Sequence, residues 1–174
     1  MIKAIIDAKV MTVTESEREM DVSIWRESDG AGRFERYQVP ARENQTVLDV
    51  VAYVQQEIDP TLSYRYACRV GMCGSCAMMV NGAPRWTCRT HVSKVVKGGR
   101  LEVAPLRNLP VIKDLATDMD PFFEKWVAAE AVFKPSVTRQ DPMAPITPDD
   151  PARLAASAAI ECINCAVCYA ACDV

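Results

Sequence analysis

All eight cysteines of this chain fall into two short clusters. The first is Cys68-Arg-Val-Gly-Met-Cys73-Gly-Ser-Cys76, with Cys88 twelve positions further on. The second is Cys162-Ile-Asn-Cys165-Ala-Val-Cys168-Tyr-Ala-Ala-Cys172. C-x4-C-x2-C with a later cysteine is the plant-type 2Fe–2S spacing, and C-x2-C-x2-C-x3-C is the bacterial multi-cluster spacing. Thiolates spaced closely on a turning loop can reach one iron–sulfur core from several sides. Two such runs in one chain point to electron transfer.

The residues between the first cysteines suit that chemistry. An iron–sulfur core is anionic, so its loop must curl tightly and turn backbone N–H groups inward. Gly71 and Gly74 supply the room, because glycine tolerates positive φ. Amides aimed at the sulfurs also tune reduction potential. His91 is the chain's single histidine, which excludes a Rieske centre with its two histidine ligands. A structural zinc held by four thiolates is the alternative. Zinc usually joins two separated C-x2-C pairs, and that arrangement would leave Cys68 redundant or one pair incomplete. Four disulfides are the other way to use an even cysteine count. Residues Met1 to Met20 argue against them: the apolar patch at Ala4 to Ile6 breaks at Asp7 and Lys9, then runs through Glu15, Glu17, Arg18 and Glu19. No signal-peptide core is read there, so the thiols are expected in a reducing cytosol.

Other polar residues carry plainer expectations. His91 reads as a surface or strand residue. Arg85, Arg89, Lys94, Lys97 and Arg100 form a basic stretch near Cys88, read as a solvated face first and a docking patch for an acidic partner second. Arg69 would either raise a cluster's potential or make a salt bridge. The chain has no G-x-G-x-x-G dinucleotide fingerprint. At 174 residues with 49% hydrophobic composition it can bury a core as one or two small domains. A net charge of −3 offers no general attraction to nucleic acid. No run of about 18 apolar residues occurs, so no membrane-spanning helix is expected.

Two segments of different grammar must position the cysteines. From about residue 20 to 106 the pattern is strands around one helix. Asp21 to Glu27 reads as a strand, Asp29-Gly30-Ala31-Gly32 as a turn, and Phe34 to Val39 as the return strand. Thr46 opens a helix with Asp49 as its capping-box partner. Val47, Val50, Val51, Val54 and Ile58 form its core-facing stripe, and Pro60 stops it. Ala77 to Val80, Asn81-Gly82 and Pro84 to Cys88 read as a hairpin. Leu101 to Ala104 is the last strand, giving the order of a small β-grasp sheet. After Pro105, Asp120-Pro121 signals a helix carrying Phe122, Phe123, Trp126 and Val127, the aromatics being core first and partner contact second. Asp150-Pro151 opens an alanine-rich helix running toward Cys162. Pro135 to Pro151 holds five of the eleven prolines and reads as an extended linker or wrapping arm, taken as 133–151.

The sequence resembles the iron–sulfur subunit of the succinate dehydrogenase/fumarate reductase family. The resemblance rests on Ser63-Tyr-Arg-Tyr-Ala-Cys68 through Cys76-Ala-Met-Met-Val-Asn81-Gly82, on Pro110-Val-Ile-Lys-Asp-Leu, and on Glu161-Cys-Ile-Asn-Cys-Ala-Val-Cys168. It covers nearly everything from residue 20 onward. It implies an α+β chain: a 2Fe–2S ferredoxin-like β-grasp domain over 1–108, then the start of a helical ferredoxin-like domain over 109–174. Cys68, Cys73, Cys76 and Cys88 would hold a 2Fe–2S cluster. Cys162, Cys165 and Cys168 would belong to a 4Fe–4S cluster and Cys172 to a 3Fe–4S cluster. The implied role is an electron-transfer subunit, inactive alone, relaying electrons between an FAD-containing catalytic subunit and quinone. Membrane anchor subunits would hold it on the cytoplasmic side of the inner membrane. Related iron–sulfur subunits serve other flavoprotein dehydrogenases and thiol-dependent fumarate reductases, which is the alternative; a zinc-stabilised binding module is the remote one. The chain departs from the family pattern at its end. The remaining ligands of the second and third clusters lie further along in the family, Asp173 stands where proline is usual, and the quinone-facing tryptophan is missing. Truncation is the plainer expectation, completion by another polypeptide the other.

Overall fold

The computed structural model describes residues 18–28, 30–130, 135 and 137–173. Residues 1–17, on which the reading of the N-terminus rests, lie outside these. So do Asp29 of the first expected turn and 133, 134 and 136 of the proline-rich arm.

β1 (Glu19–Ser28) and β2 (Ala31–Pro40) pair antiparallel from Glu19↔Pro40 to Ser28↔Ala31. β3 (Ala77–Val80) and β4 (Ala83–Trp86) form the expected hairpin, with Asn81 and Gly82 both at positive φ, as a two-residue primed turn needs. β5 (Arg100–Ala104) lies parallel to β1 and antiparallel to β3, closing a sheet of order β2-β1-β5-β3-β4. Met20, Val22 and Ile24 of β1, Tyr37 and Val39 of β2, Leu101 and Val103 of β5, and Met78 and Val80 of β3 share one buried face. That alternation buries one side of each strand.

α1 (Val47–Tyr53) covers this face with Val47, Val50 and Val51, Val54 follows it, and α2 (Val92–Val95) adds Val92 and Val95. Its capping box is as expected: Asp49 N–H donates to Thr46 Oγ1 at 3.2 Å, and Thr46 N–H donates to Asp49 Oδ2 at 2.9 Å. The stripe does not reach Ile58, which is 44% exposed. Val54–Ile58 is a π turn, closed by Asp59 N–H donating to Val54 O across five residues. The wider turn rotates position 58 off the helical stripe.

The other face of β3 also has cover. Ala77 and Met79 pack with Leu106, Leu109, Phe122, Ala166 and Ala170, so every residue of β3 is buried. This second core comes from α3 (Asp120–Ala128) and α5 (Val167–Ala171). α3 begins one residue earlier than its signal suggests: Met119 occupies the cap, and Asp118 Oδ1 accepts Asp120 N–H at 3.0 Å. Phe122 is buried, Trp126 half-buried, and Phe123 and Val127 exposed. Ahead of α4 (Pro151–Ile160), Asp150 Oδ1 accepts Arg153 N–H at 2.9 Å, as the Asp-Pro signal implies.

Between the two cores, β6 (Val111–Lys113) and β7 (Ala116–Thr117) make a short hairpin. Its turn residue Asp114 is buried and accepts N–H from Glu27 at 3.0 Å, Ser63 at 2.8 Å and Arg26 Nε at 3.1 Å. Leu115 enters the first core. Residues 110–118 are thus fastened to the β-grasp sheet. The architecture is α+β: the sheet with its helix first, short helices after it.

Candidate metal centre

The first cysteine run is the loop entering β3. Arg69, Gly71 and Gly74 all take positive φ, at 59°, 78° and 71°. These left-handed steps fold the chain around Cys68, whose Sγ accepts N–H from Val70 at 3.4 Å, Met72 at 3.2 Å and Cys73 at 3.3 Å. Successive amides pointing into one concavity make a nest for a negative atom. Arg69 points elsewhere, 3.6 Å from Asp49 and over the Tyr66 ring, so it takes the salt-bridge role.

The four cysteines divide by environment. Cys73 is exposed and Cys68 half-buried, while Cys76 and Cys88 are buried beside Leu48. Ser75 Oγ lies 3.1 Å from Cys73 Sγ. That hydroxyl, followed by backbone bonds at Cys68 and Ser75, draws the Cys73 thiol down to about 6. Burial pushes the Cys88 thiol up to about 11, with Cys76 as the next cause. Thr87 ties the buried pair together: its Oγ1 and N–H donate to Cys76 O at 2.8 and 3.2 Å.

The second run is a tighter turn. Asn164 and Ala166 take φ of 55° and 58°, and Ala166 is buried at the start of α5. Cys162, Cys168 and Cys172 are exposed and Cys165 is half-buried. The Cys162 thiol donates to Asn164 Oδ1 at 3.3 Å. Asn108 Nδ2 holds the end of α5 by donating to Tyr169 O at 3.0 Å and Cys172 O at 2.9 Å. The two runs meet at Gly74, where an added Cβ would lie 2.6 Å from Cys165 Cβ.

Among the described residues, no three Cys, His, Asp or Glu side chains converge as one metal ion requires. A multi-iron core makes a different demand, since its thiolates are shared among separate irons. The loop fits such a core: curled backbone, amides aimed at sulfur, a thiol readily ionised, and two cysteines out of solvent. Residue types and spacing made all eight cysteines visible in the sequence. Ser75, Thr87 and Asn108 are not legible in the sequence, because their partners are set by loop folding. Ala166 gave no signal, since alanine is an unusual left-handed residue.

A β-grasp sheet carrying this four-cysteine loop defines a ferredoxin-type protein. The chain belongs to the 2Fe-2S iron-sulfur cluster binding domain family, which matches residues 20–124. It is similar to a fumarate reductase iron-sulfur subunit of Mycobacterium tuberculosis, 38% identical over 161 residues, covering 89% of this chain and 63% of that protein. A mitochondrial succinate dehydrogenase iron-sulfur subunit of Oryza sativa is 35% identical over 126 residues, covering 72% of this chain and 44% of that one. The Mycobacterium smegmatis Sdh1 complex contains a chain that superposes with a TM-score of 0.78 at 29% identity, covering 91% of this chain and 65% of that chain. This chain therefore spans less than two thirds of the length of these relatives. Among the described residues, no helix is long and apolar enough to cross a membrane.

Proposed function

We propose that the chain is the electron-relaying iron–sulfur part of a succinate dehydrogenase or fumarate reductase. In this reading Cys68, Cys73, Cys76 and Cys88 hold a 2Fe–2S cluster. Cys162, Cys165 and Cys168 contribute to a 4Fe–4S cluster and Cys172 to a 3Fe–4S cluster. The observation that carries the reading is the set of three amides on Cys68 Sγ. Cluster sulfurs carry negative charge; inward-pointing amides stabilise it and so tune reduction potential. A bound cluster supplies one-electron chemistry without proton transfer.

The chain's own residues orient and insulate. The Val70, Met72 and Cys73 amides fix the Cys68 sulfur, Thr87 holds Cys76 beside Cys88, and Leu48 keeps water from the buried pair. In this reading the chain itself carries out no substrate chemistry, and the single histidine, His91, which sits in a backbone bridge with Thr46, takes no part in it. Succinate or fumarate is accordingly handled by an FAD-containing partner, and quinone is met with membrane anchor subunits on the cytoplasmic side of the inner membrane. The two-unit organisation, β-grasp first and helical second, is part of the same proposal.

Anaerobic purification followed by iron and acid-labile sulfide counts tests the reading. Iron and acid-labile sulfide in nearly equal amounts are expected, with loss of the first cluster's share of the reducible visible absorption in Cys68→Ala. Zinc without sulfide overturns it. Co-purification with an FAD protein, assayed with succinate and with fumarate, tests the partner.

A further inference from the structure

We propose that Gly74 is a positioning residue that sets the distance between the two cysteine runs, and with it the ease of electron passage between clusters held by each. The inference rests on the functional reading above and deepens it. Gly74 is buried, at φ 71°. A Cβ there would lie 2.6 Å from Cys165 Cβ, 2.9 Å from Cys165 Cα and 3.2 Å from Ile163 O. Real Cβ atoms essentially never approach others below 3.0 Å. The obstacle includes backbone, which cannot swing aside as a side-chain tip can. Only a residue without a Cβ lets the chain between Cys73 and Cys76 rest on a ligand-bearing residue of the second run.

The second run cannot easily retreat. Ala166 and Ala170 are buried against Ala77 and Met79, and Arg107 Nε and Asn108 Nδ2 hold the carbonyls of Ala170, Tyr169 and Cys172. Beside the contact lies a cleft of about 170 Å³ whose lining includes Cys73 and Ser75 of the first run and Asn164 and Cys165 of the second. Electron tunnelling weakens steeply with distance and makes or breaks no bond. The electron lost at the first site is the one gained at the second, and no proton moves. A contact without an intervening side chain is the shortest path this fold can offer.

Gly82 supplies a matched control. It also has positive φ, at 78°, but it lies in the β3–β4 turn outside both cysteine runs, and nothing lies within 4 Å of an added Cβ there. Alanine costs similar backbone strain at both sites, yet only at Gly74 must the two runs separate. The test compares the assembled complex carrying wild-type chain, Gly74→Ala or Gly82→Ala. It reads iron content and the EPR relaxation of the reduced first cluster, which a nearby paramagnetic cluster accelerates. Gly82→Ala is expected to keep the fast relaxation. Gly74→Ala is expected to lose it, or to lose the second cluster alone. Wild-type relaxation in Gly74→Ala overturns the proposal, and so does equal loss in both variants, which strain alone would explain. A wild-type complex with no second cluster overturns the functional reading itself, a result distinct from coupled clusters that Gly74→Ala leaves untouched. If either alanine variant fails to accumulate, Gly74→Asn and Gly82→Asn make the same comparison, since asparagine tolerates the left-handed region.

Discussion

Cys73 and Cys88 hold their protons in opposite ways within one loop system. The Ser75 hydroxyl and backbone bonds at Cys68 and Ser75 favour the Cys73 thiolate, drawing it from 9.0 to about 6. Burial disfavours charge on Cys88 and lifts it to about 11. In the metal-free chain, alkylation of Cys73 should therefore follow a midpoint near pH 6, with Cys88 unreactive at neutral pH. Ser75→Ala should move that midpoint upward, and mass spectrometry of trapped peptides at a series of pH values reads it. An unchanged midpoint in Ser75→Ala would mean the hydroxyl is not the cause. The linkage sign follows. A depressed acid stabilises the fold above its unfolded value and loses that contribution as pH falls through its folded value, so the Cys73 contribution is complete above about 9 and gone below about 6. The eight cysteines could be read from spacing alone because ligand number and loop length are local properties. Ser75 could not, because its bond depends on how positive-φ steps at Arg69, Gly71 and Gly74 aim the chain.

Among the elements, the short hairpin Val111–Thr117 does most to join distant parts of the chain. Asp114 is 88 residues from Arg26 and 51 from Ser63, yet its carboxylate bonds both, as well as the amide of Glu27. Arg26 also reaches Asp59, Tyr37 and Thr61. Burial opposes charge on Arg26, but bonds to Asp59, Tyr37 and Asp114 outweigh it and raise its pKa. Asp114→Ala leaves the amides of Glu27 and Ser63 and the Nε of the partly buried Arg26 without this partner. A loss of about 3 kcal/mol is expected, the low end for breaking a buried ion pair from one side. Thr46→Ala, which removes a single cap, should cost only about 1 kcal/mol. Urea unfolding followed by circular dichroism compares the two, and an Asp114→Ala loss no greater than that of Thr46→Ala would refute the clip. The strands, the Asn81-Gly82 turn and the Thr46 cap were legible in sequence because each rests on neighbours within a few residues. The Asp114 clip and the π turn at Val54–Ile58 were not, since one is long-range and the other is decided by where Asp59 must reach.

At the scale of the molecule, β3 is the shared wall of two cores; the second cysteine run packs into one of them through Ala166 and Ala170, while Cys76 and Cys88 pack separately with Leu48. A chain ending at Asn108 lacks Asp114, Leu115 and Phe122, whereas one ending at Glu124 keeps all three. The shorter fragment should melt at least about 10 °C lower, from loss of the clip and of buried apolar area together, and differential scanning calorimetry of both fragments reads this. One open surface lies C-terminal to α3. Val137, Met143 and Ile146 are 64%, 95% and 66% exposed, on an arm whose described residues up to Asp149 are all exposed. Proline restricts the unbound chain, so ordering such an arm on a partner loses less entropy than ordering a flexible one. Isolated large apolar side chains on a surface are ordinary. Three on one proline-stiffened segment would suit an apolar groove on the proposed FAD-containing partner. Hydrogen exchange of the chain with and without that partner tests this. Amides of residues 137–149 should exchange freely in the isolated chain and become protected in the complex; equal exchange in both states would exclude the arm from the interface.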